Sequence, residues 1–550
     1  MRKFALPLLT VAALTLLVAL PVLFVIFQAV FPHLDAGVLT GAFSAVPALV
    51  DDPRLPALLK GTLTTGLGVA AVSAMIGVPL GALRGLFRLP LARCWDALLL
   101  APFLIPPYIA GLSWIMTLQR RGYLEQLTGW RLDHLLFSQA GIILVMSLNI
   151  FPVVYFAVSR SMAAAGGRLA EVAQVHGAGP WRAFLLITLP LALPAIAAGV
   201  LLAFTLAIEE YGIPAALGTQ TGVAVLTVGI EQRLADWPID LTSAALLSLI
   251  LAAIALTAYV AQRMAAGGRD VAVTGGKPAG IAARSLGRWR WWVVGLFSMM
   301  VLLSVAAPIG AMLTTAFTNT VSGGLHWQNL GTRHFTVLFS QRGEALDALG
   351  VSVGLALATA LLTGTLGFLA AWLTTGGKVP GAIIIDMLSL LPAALPGVVV
   401  AVGLILAWNR PGWPITPYNS GWILLFAYGC LLMPYPVRYV SAALRQLGAN
   451  LAPAARVHGA TEGRALGYIV LPLVYPALLA AMMMVFAIAS RELVASLLLA
   501  PAGVETVSVF VWRQFEQGSV GDGMAMASVA VLISLVIMLA AVALLHRRQR

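Results

Sequence analysis

The side chains with most chemistry to offer sit where a charge is expensive. Glu209 and Glu210 close one long apolar run, and Arg491 and Glu492 close another. Ionisable groups in or at the edge of an apolar span are costly to keep and often mark a route for an ion or a proton. Glu210 and Glu492 also share a register, since a shift of 282 residues carries one onto the other. The plainer readings are interfacial carboxylates facing water, or a Glu492 neutralised by Arg491 or Arg513. Nothing beside them makes or breaks bonds. Gly275-Gly276-Lys277-Pro278 and Gly376-Gly377-Lys378-Val379 lack the spacing and the hydroxyl of a phosphate-binding P-loop. No HExxH, nucleophile elbow or paired-cysteine motif occurs. Cys94 and Cys430 lie in separate apolar segments and suggest neither a disulfide framework nor a metal site. The chain is expected to bind no cofactor or metal, and any energy it uses must come from a partner or an ion gradient.

The elements that position these residues are membrane spans. The 550 residues are 60% hydrophobic and 10% charged, with a mean hydropathy of +0.95, against about 25% charged residues in a soluble domain. Apolar runs of 18 or more residues recur, each long enough to cross about 30 Å of hydrocarbon as a helix. The roughly ten-residue alternation of membrane strands is absent. The reading is an all-α polytopic membrane protein with about twelve transmembrane helices. They fall near 4–31, 62–83, 94–117, 140–159, 191–209 and 241–262, then near 291–317, 348–373, 382–408, 421–437, 473–490 and 524–545. The first is too long for a signal-peptide core and should remain as an anchor. Between the two sets lies a Gly- and Arg-rich stretch with the composition of a flexible linker. Domains are therefore expected at 1–268 and 289–550, joined by a cytoplasmic linker at 269–288.

The two sets repeat each other. Leu169–Pro190 and Leu451–Pro472 align without a gap, matching Ala173/Ala455, Val175/Val457, His176/His458, Gly177/Gly459, Arg182/Arg464 and Pro190/Pro472. Polar residues in register do not follow from apolar composition, so the chain is an internal duplication. Asp96, Pro102 and Pro106 recur as Asp386, Pro392 and Pro396 at an offset of 290. Pro106 and Pro396 should break the third span of each half, and broken helices often line translocation paths. Asp96 and Asp386 read as N-terminal helix charges. Six spans separate equivalent points, which makes the repeats parallel.

Charge orients the spans. With both termini cytoplasmic, 22 of the 33 Lys+Arg but only 5 of the 21 Asp+Glu fall on the cytoplasmic side, a positive-inside pattern. The pI near 10.1 then reports topology. The partner surface is the lipid bilayer, and no basic patch with groove-reading or stacking elements points to nucleic acid. Both copies of the Gly motif fall on the cytoplasmic face. A short polar helix, Arg168 to Val175, should end at Gly177 with positive φ, and Pro190 should stand where the next helix enters the bilayer, starting or kinking it. A capped loop would explain one copy. Two copies with the same polar residues suggest docking on a two-fold partner.

Here the chain resembles a known family. Glu171-x-Ala173, Gly177 and Ile187-x-Leu189-Pro190 are similar in spacing to the EAA loop of permease subunits in bacterial ABC importers. The resemblance implies a type I importer permease with both transmembrane domains fused, in the bacterial inner membrane. It implies that Glu171, Ala173, His176, Gly177, Ala454, Ala455, His458 and Gly459 couple to two copies of a cytoplasmic ATPase, which would hold the ATP and magnesium. A periplasmic substrate-binding protein is the implied third partner. Val172 departs from the family pattern, and Pro453 replaces the glutamate in the second copy, which unbalances the two loops. Arg491-Glu492-Leu493-Val494-Ala495-Ser496-Leu497-Leu498-Leu499 is similar to a stretch of ferric-iron importer permeases, with Val494 for proline and Ser496 for threonine. Glu209, Glu210, Arg491, Glu492, Pro106 and Pro396 are thus candidates for the path or gate. Thiamine, polyamine and aminoethylphosphonate importers have related permeases. A twelve-span secondary transporter would also give a parallel repeat, but should carry a coupling carboxylate at a span centre, and none is present there.

Overall fold

A computed structural model describes residues 2–34, 37–103, 105–165, 168–267, 284–340, 343–375, 381–410, 412–447, 457, 459 and 461–548. The described chain is helical almost throughout, with one parallel pairing of two two-residue strands, Phe87–Arg88 and Arg284–Ser285. Nine of its helices are long and apolar enough to cross a membrane, and two bent pairs bring the candidates to 11. The remaining expected span, near 94–117, exists in pieces: Ala92–Leu100, a 3-10 turn at Ala101–Phe103, and Pro107–Leu118. None of these reaches the roughly 20 residues a span needs. The span expected at 382–408 is likewise divided, and Ala382–Ala394 and Gly397–Trp408 meet at 118°. Pro106 and Pro396 cause both breaks. Each sits just before its inner helix in extended backbone, at φ/ψ of −54°/136° and −57°/144°, where a ring without an N–H cannot continue a helix.

The chain packs into two compact units that do not follow chain order. One comprises Met1–Asp52, Ile230–Ala252 and Thr332–Arg550; the other comprises Pro53–Gly229 and Ala253–Gly331. Each therefore joins the first span of one sequence half to most of the other half. In the first unit, Leu20–Val30 packs on the inner helix Gly397–Trp408. Gly403 permits that approach, because a Cβ there would stand 2.6 Å from the Pro21 carbonyl oxygen. In the second unit, Ala307–Phe317 packs on the inner helix Pro107–Leu118, and the Tyr123 and Thr315 hydroxyls share a 2.7 Å hydrogen bond. Both inner helices are buried on all sides, over Tyr108–Met116 and Val398–Trp408, as helices that are apolar all round should be.

The duplication is visible in hydrogen bonds. The short helix Leu226–Ala235 starts with the Leu226 N–H donating to Thr62 Oγ1 at 2.8 Å. Its counterpart Val507–Glu516 starts with the Val507 N–H donating to Ser352 Oγ, also at 2.8 Å. Thr62 and Ser352 stand at the same 290-residue offset as the prolines.

Four π-helical turns interrupt the spans, at Thr15–Ala19, Phe184–Thr188, Leu302–Ala306 and Leu466–Val470. Each ends two residues before a proline: Pro21, Pro190, Pro308 and Pro472. A proline clashes with the carbonyl four residues back, and the wider i→i+5 turn moves that carbonyl aside. Consequently the span expected to start at 191 begins at Pro180 and continues through Pro190 to Glu209.

The helix Leu226–Ala235 also carries a titrating group. Burial, and after it repulsion from Asp236 and Glu516, pushes the Glu231 carboxyl up to about 7. A folded-state pKa above the unfolded one adds stability at low pH that is lost as pH rises through about 7. The full linkage is about 3 kcal/mol, and solvent screening of this half-buried group reduces it to about 1–2 kcal/mol. Glu231→Gln is thus expected to flatten the fall in melting temperature between about pH 5 and pH 8. An unchanged slope would show that Glu231 is not the group responsible.

Candidate functional site

The Gly-motif loop of the first half is built as its residues require. Helix Arg168–Val175 is short and ends in a Schellman cap. The Gly177 N–H donates to the Gln174 carbonyl at 3.0 Å, and the Ala178 N–H donates to that of Ala173 at 2.9 Å. Gly177 takes φ +88°, and Gly459, its repeat partner, takes +80°. A Cβ at either glycine would meet nothing within 4 Å, so the backbone conformation, and not crowding, calls for glycine. His176 Nδ1 lies 2.9 Å from the Val172 carbonyl oxygen. Ala173 is half-buried, whereas Val175 is 84% exposed and Val457, at the same repeat position, 85%. Trp181, stacked on Phe184, adds exposed aromatic surface to the first copy. Both copies of the motif thus expose an apolar side chain at the same position. Ala454, Ala455 and His458 lie outside the described residues, as does the Glu171 side chain.

The candidate gate residues come together within each unit. In the second unit, Glu210 follows helix Leu189–Glu209, and its Oε1 accepts from the Gly212 N–H at 3.0 Å. Its carbonyl accepts from Thr227 Oγ1 at 3.1 Å. Gly212 presses on Tyr108, so that an added Cβ would lie 2.6 Å from the Tyr108 Cβ. Tyr108 is in the first turn after Pro106, which places Glu210 beside the broken end of the third span. In the first unit, Glu492 Oε1 accepts from the Ala495 N–H at 3.3 Å. It lies 3.9 Å from where a Cβ of Gly397 would be, and Gly397 directly follows Pro396. In both units, then, a glutamate that bonds the start of the helix following it stands close to the first turn of the inner helix.

Glu209 ends its helix with Oε1 sealed from solvent and without a hydrogen-bond partner among the described residues. Arg491 is half-buried in the turn that leads to Glu492. Sequence reasoning missed Tyr428, whose hydroxyl donates to the Glu492 carbonyl at 3.3 Å and also bonds Ser496. It also misread Asp96, which is the fifth residue of Ala92–Leu100 and does not cap it. Asp96 instead accepts from Arg84 Nε and Nη2 and from the Tyr155 hydroxyl at 2.7 Å. Asp386 is likewise fifth in Ala382–Leu390. No local pattern announces such a pair, because its members are 12 and 59 residues apart.

Comparison with known proteins fits this geometry. The chain is 25% identical over 453 residues to the ferric transport system permease protein FbpB of Actinobacillus pleuropneumoniae, covering 80% of this chain and 64% of that protein. It therefore spans a little under two thirds of that relative's length. It is 25% identical over 518 residues to the Fe(3+)-transport system permease protein FbpB 2 of Haemophilus influenzae (strain ATCC 51907 / DSM 11121 / KW20 / Rd), covering 94% of this chain and 93% of that one. A 172-residue stretch, 30% of this chain and 72% of the relative, is 31% identical to the molybdenum transport system permease protein ModB of Escherichia coli (strain K12). The family profile described as binding-protein-dependent transport system inner membrane component matches residues 4–266 and again 363–550. The chain is a member of that family, a multi-pass permease in which the family's domain occurs twice in one polypeptide.

Proposed function

We propose that the chain is the membrane-spanning subunit of an ATP-driven importer that carries ferric iron from periplasm to cytoplasm. The observation that carries the reading is the duplicated glycine turn, which presents Val175 and Val457 to water at equivalent positions. The two turns, with Glu171, Ala173, His176, Ala454, Ala455 and His458 around them, seat two copies of a cytoplasmic ATPase that holds ATP and magnesium. This chain binds no cofactor of its own. Both termini face the cytoplasm, as the distribution of basic residues favours. A soluble periplasmic protein delivers the substrate to the opposite face.

The carboxylates support a cationic substrate. Glu210 and Glu492 put an acidic side chain close to the first turn of both inner helices, where negative charge draws a cation and repels an anion. Iron is favoured by the Arg491-Glu492-Leu493 stretch and by relatives named as ferric permeases. Uptake into vesicles holding the whole complex tests the substrate. Ferric iron delivered by the binding protein should accumulate, whereas molybdate, thiamine, a polyamine or aminoethylphosphonate should not. Accumulation of one of those solutes in place of iron would overturn the substrate and leave the permease reading intact.

A further inference from the structure

The segment that links the two sequence halves re-enters the described structure at an exposed basic and aromatic edge of the second unit. Arg284–Ser285 pairs in parallel with Phe87–Arg88 at the end of helix Leu55–Leu86. The chain then turns through Gly287–Trp289 into helix Arg290–Val301. Leu80, Leu89, Leu99, Tyr155, Val293 and Phe297 form the buried cluster beneath this edge, and Trp95 meets Phe297 edge-on at 5.9 Å. The surface is thereby held on a packed base.

Arg88, Arg93, Arg288 and Arg290 are exposed on it. The carboxylate of Asp96, on the same short helix as Arg93, is taken by Arg84. Arg288 lies over the Trp289 ring at 5.9 Å and Arg290 over Trp291 at 4.7 Å. Trp289, Trp291 and Trp292 are 59%, 68% and 77% exposed, three indoles at the start of a candidate span. One candidate span ends at Leu86 and another begins at Gly287, so the patch lies at a membrane edge. The equivalent helix of the first unit, Ala382–Leu390, carries no basic residue and exposes Ile383, Ile384 and Met387.

Guanidinium groups beside indole rings at that depth match a phosphodiester headgroup with its glycerol backbone. The rings sit among the ester groups, and the arginines hold phosphate oxygens through paired N–H donors. We infer that Arg88, Arg93, Arg288 and Arg290, with Trp289, Trp291 and Trp292, form a binding surface for anionic phospholipid headgroups on the second unit.

The test measures selectivity for spin-labelled phosphatidylglycerol over phosphatidylcholine with the full-length chain in nanodiscs. The wild-type chain should immobilise the anionic lipid preferentially. Each basic group near an anionic surface contributes about fivefold. Arg88→Gln, Arg93→Gln, Arg288→Gln and Arg290→Gln together should thus lower the preference at least tenfold. Replacing the same four arginines by lysine, which keeps the charge and loses the paired donors, should retain only part of it. If the fourfold glutamine variant fails to fold, Arg93→Gln with Arg290→Gln reads the same preference and should lower it several-fold. An unchanged preference would overturn the inference. So would an equal loss in Arg160→Gln with Arg445→Gln, which would reduce the effect to general charge. Binding of inorganic phosphate in detergent that disappears in the fourfold variant would identify a soluble-anion site in place of a lipid one.

Discussion

Gly177→Leu or Gly459→Leu is expected to cut substrate-stimulated ATP hydrolysis in the assembled complex at least tenfold, with insertion and folding preserved. Both glycines hold positive φ, at +88° and +80°, and a side chain there costs about 1–2 kcal/mol. No neighbour stands within 4 Å to clash with it. Relief of that strain re-sets the cap at the end of helix Arg168–Val175 and turns Val175, or its counterpart Val457, out of its docking position. Because each loop is exposed, the spans lose little. Glu171→Ala should be milder and one-sided, since Pro453 leaves no carboxylate to lose in the second copy. ATPase assays on purified complexes, beside a melting curve for each variant, check this. Normal coupling in both glycine variants would remove the loops from the coupling role.

The second large effect is expected at the inner-helix carboxylates. Glu210→Gln with Glu492→Gln should lower ATP-dependent ferric iron uptake tenfold or more, while ATPase assembly is unchanged. Each glutamine keeps an acceptor for the bonds from Gly212 and Ala495, so the local turns persist. What is lost is the negative charge that focuses a cation toward the route. Glu209→Gln, at the sealed side chain beside Glu210, tests the helix-end group separately from the turn. Unchanged iron uptake in the double variant would exclude Glu210 and Glu492 from the path.

Much of the candidate site was legible because its signals are local. A glycine that ends a polar helix has a conformational cause, and Gly177 and Gly459 have the backbone that cause demands. Pro106 and Pro396 break their spans because a missing N–H acts within one turn. Whether Pro190 starts or kinks its span stayed open for a related reason. A proline can start a helix or sit inside one if a π turn makes room, and only the bonding around Phe184–Thr188 decides between them. The rest depends on contacts distant in sequence. Leu20–Val30 packs on Gly397–Trp408, and Ala307–Phe317 packs on Pro107–Leu118. Apolar spans carry no charge or hydrogen-bond pattern that selects one apolar neighbour over another. Asp96 looked like a capping charge because nothing near it in sequence shows the Arg84 and Tyr155 that hold it.

The central claim is that two loops of this chain harness a partner's ATP hydrolysis. Iron uptake into vesicles with the ATPase and the binding protein, driven in one arm by ATP alone and in the other by an imposed ion gradient alone, tests it most directly. The account predicts uptake that requires ATP and is abolished when both Gly177 and Gly459 are replaced by leucine. Uptake that proceeds without ATP, driven by an imposed proton or sodium gradient and indifferent to those glycines, would contradict it.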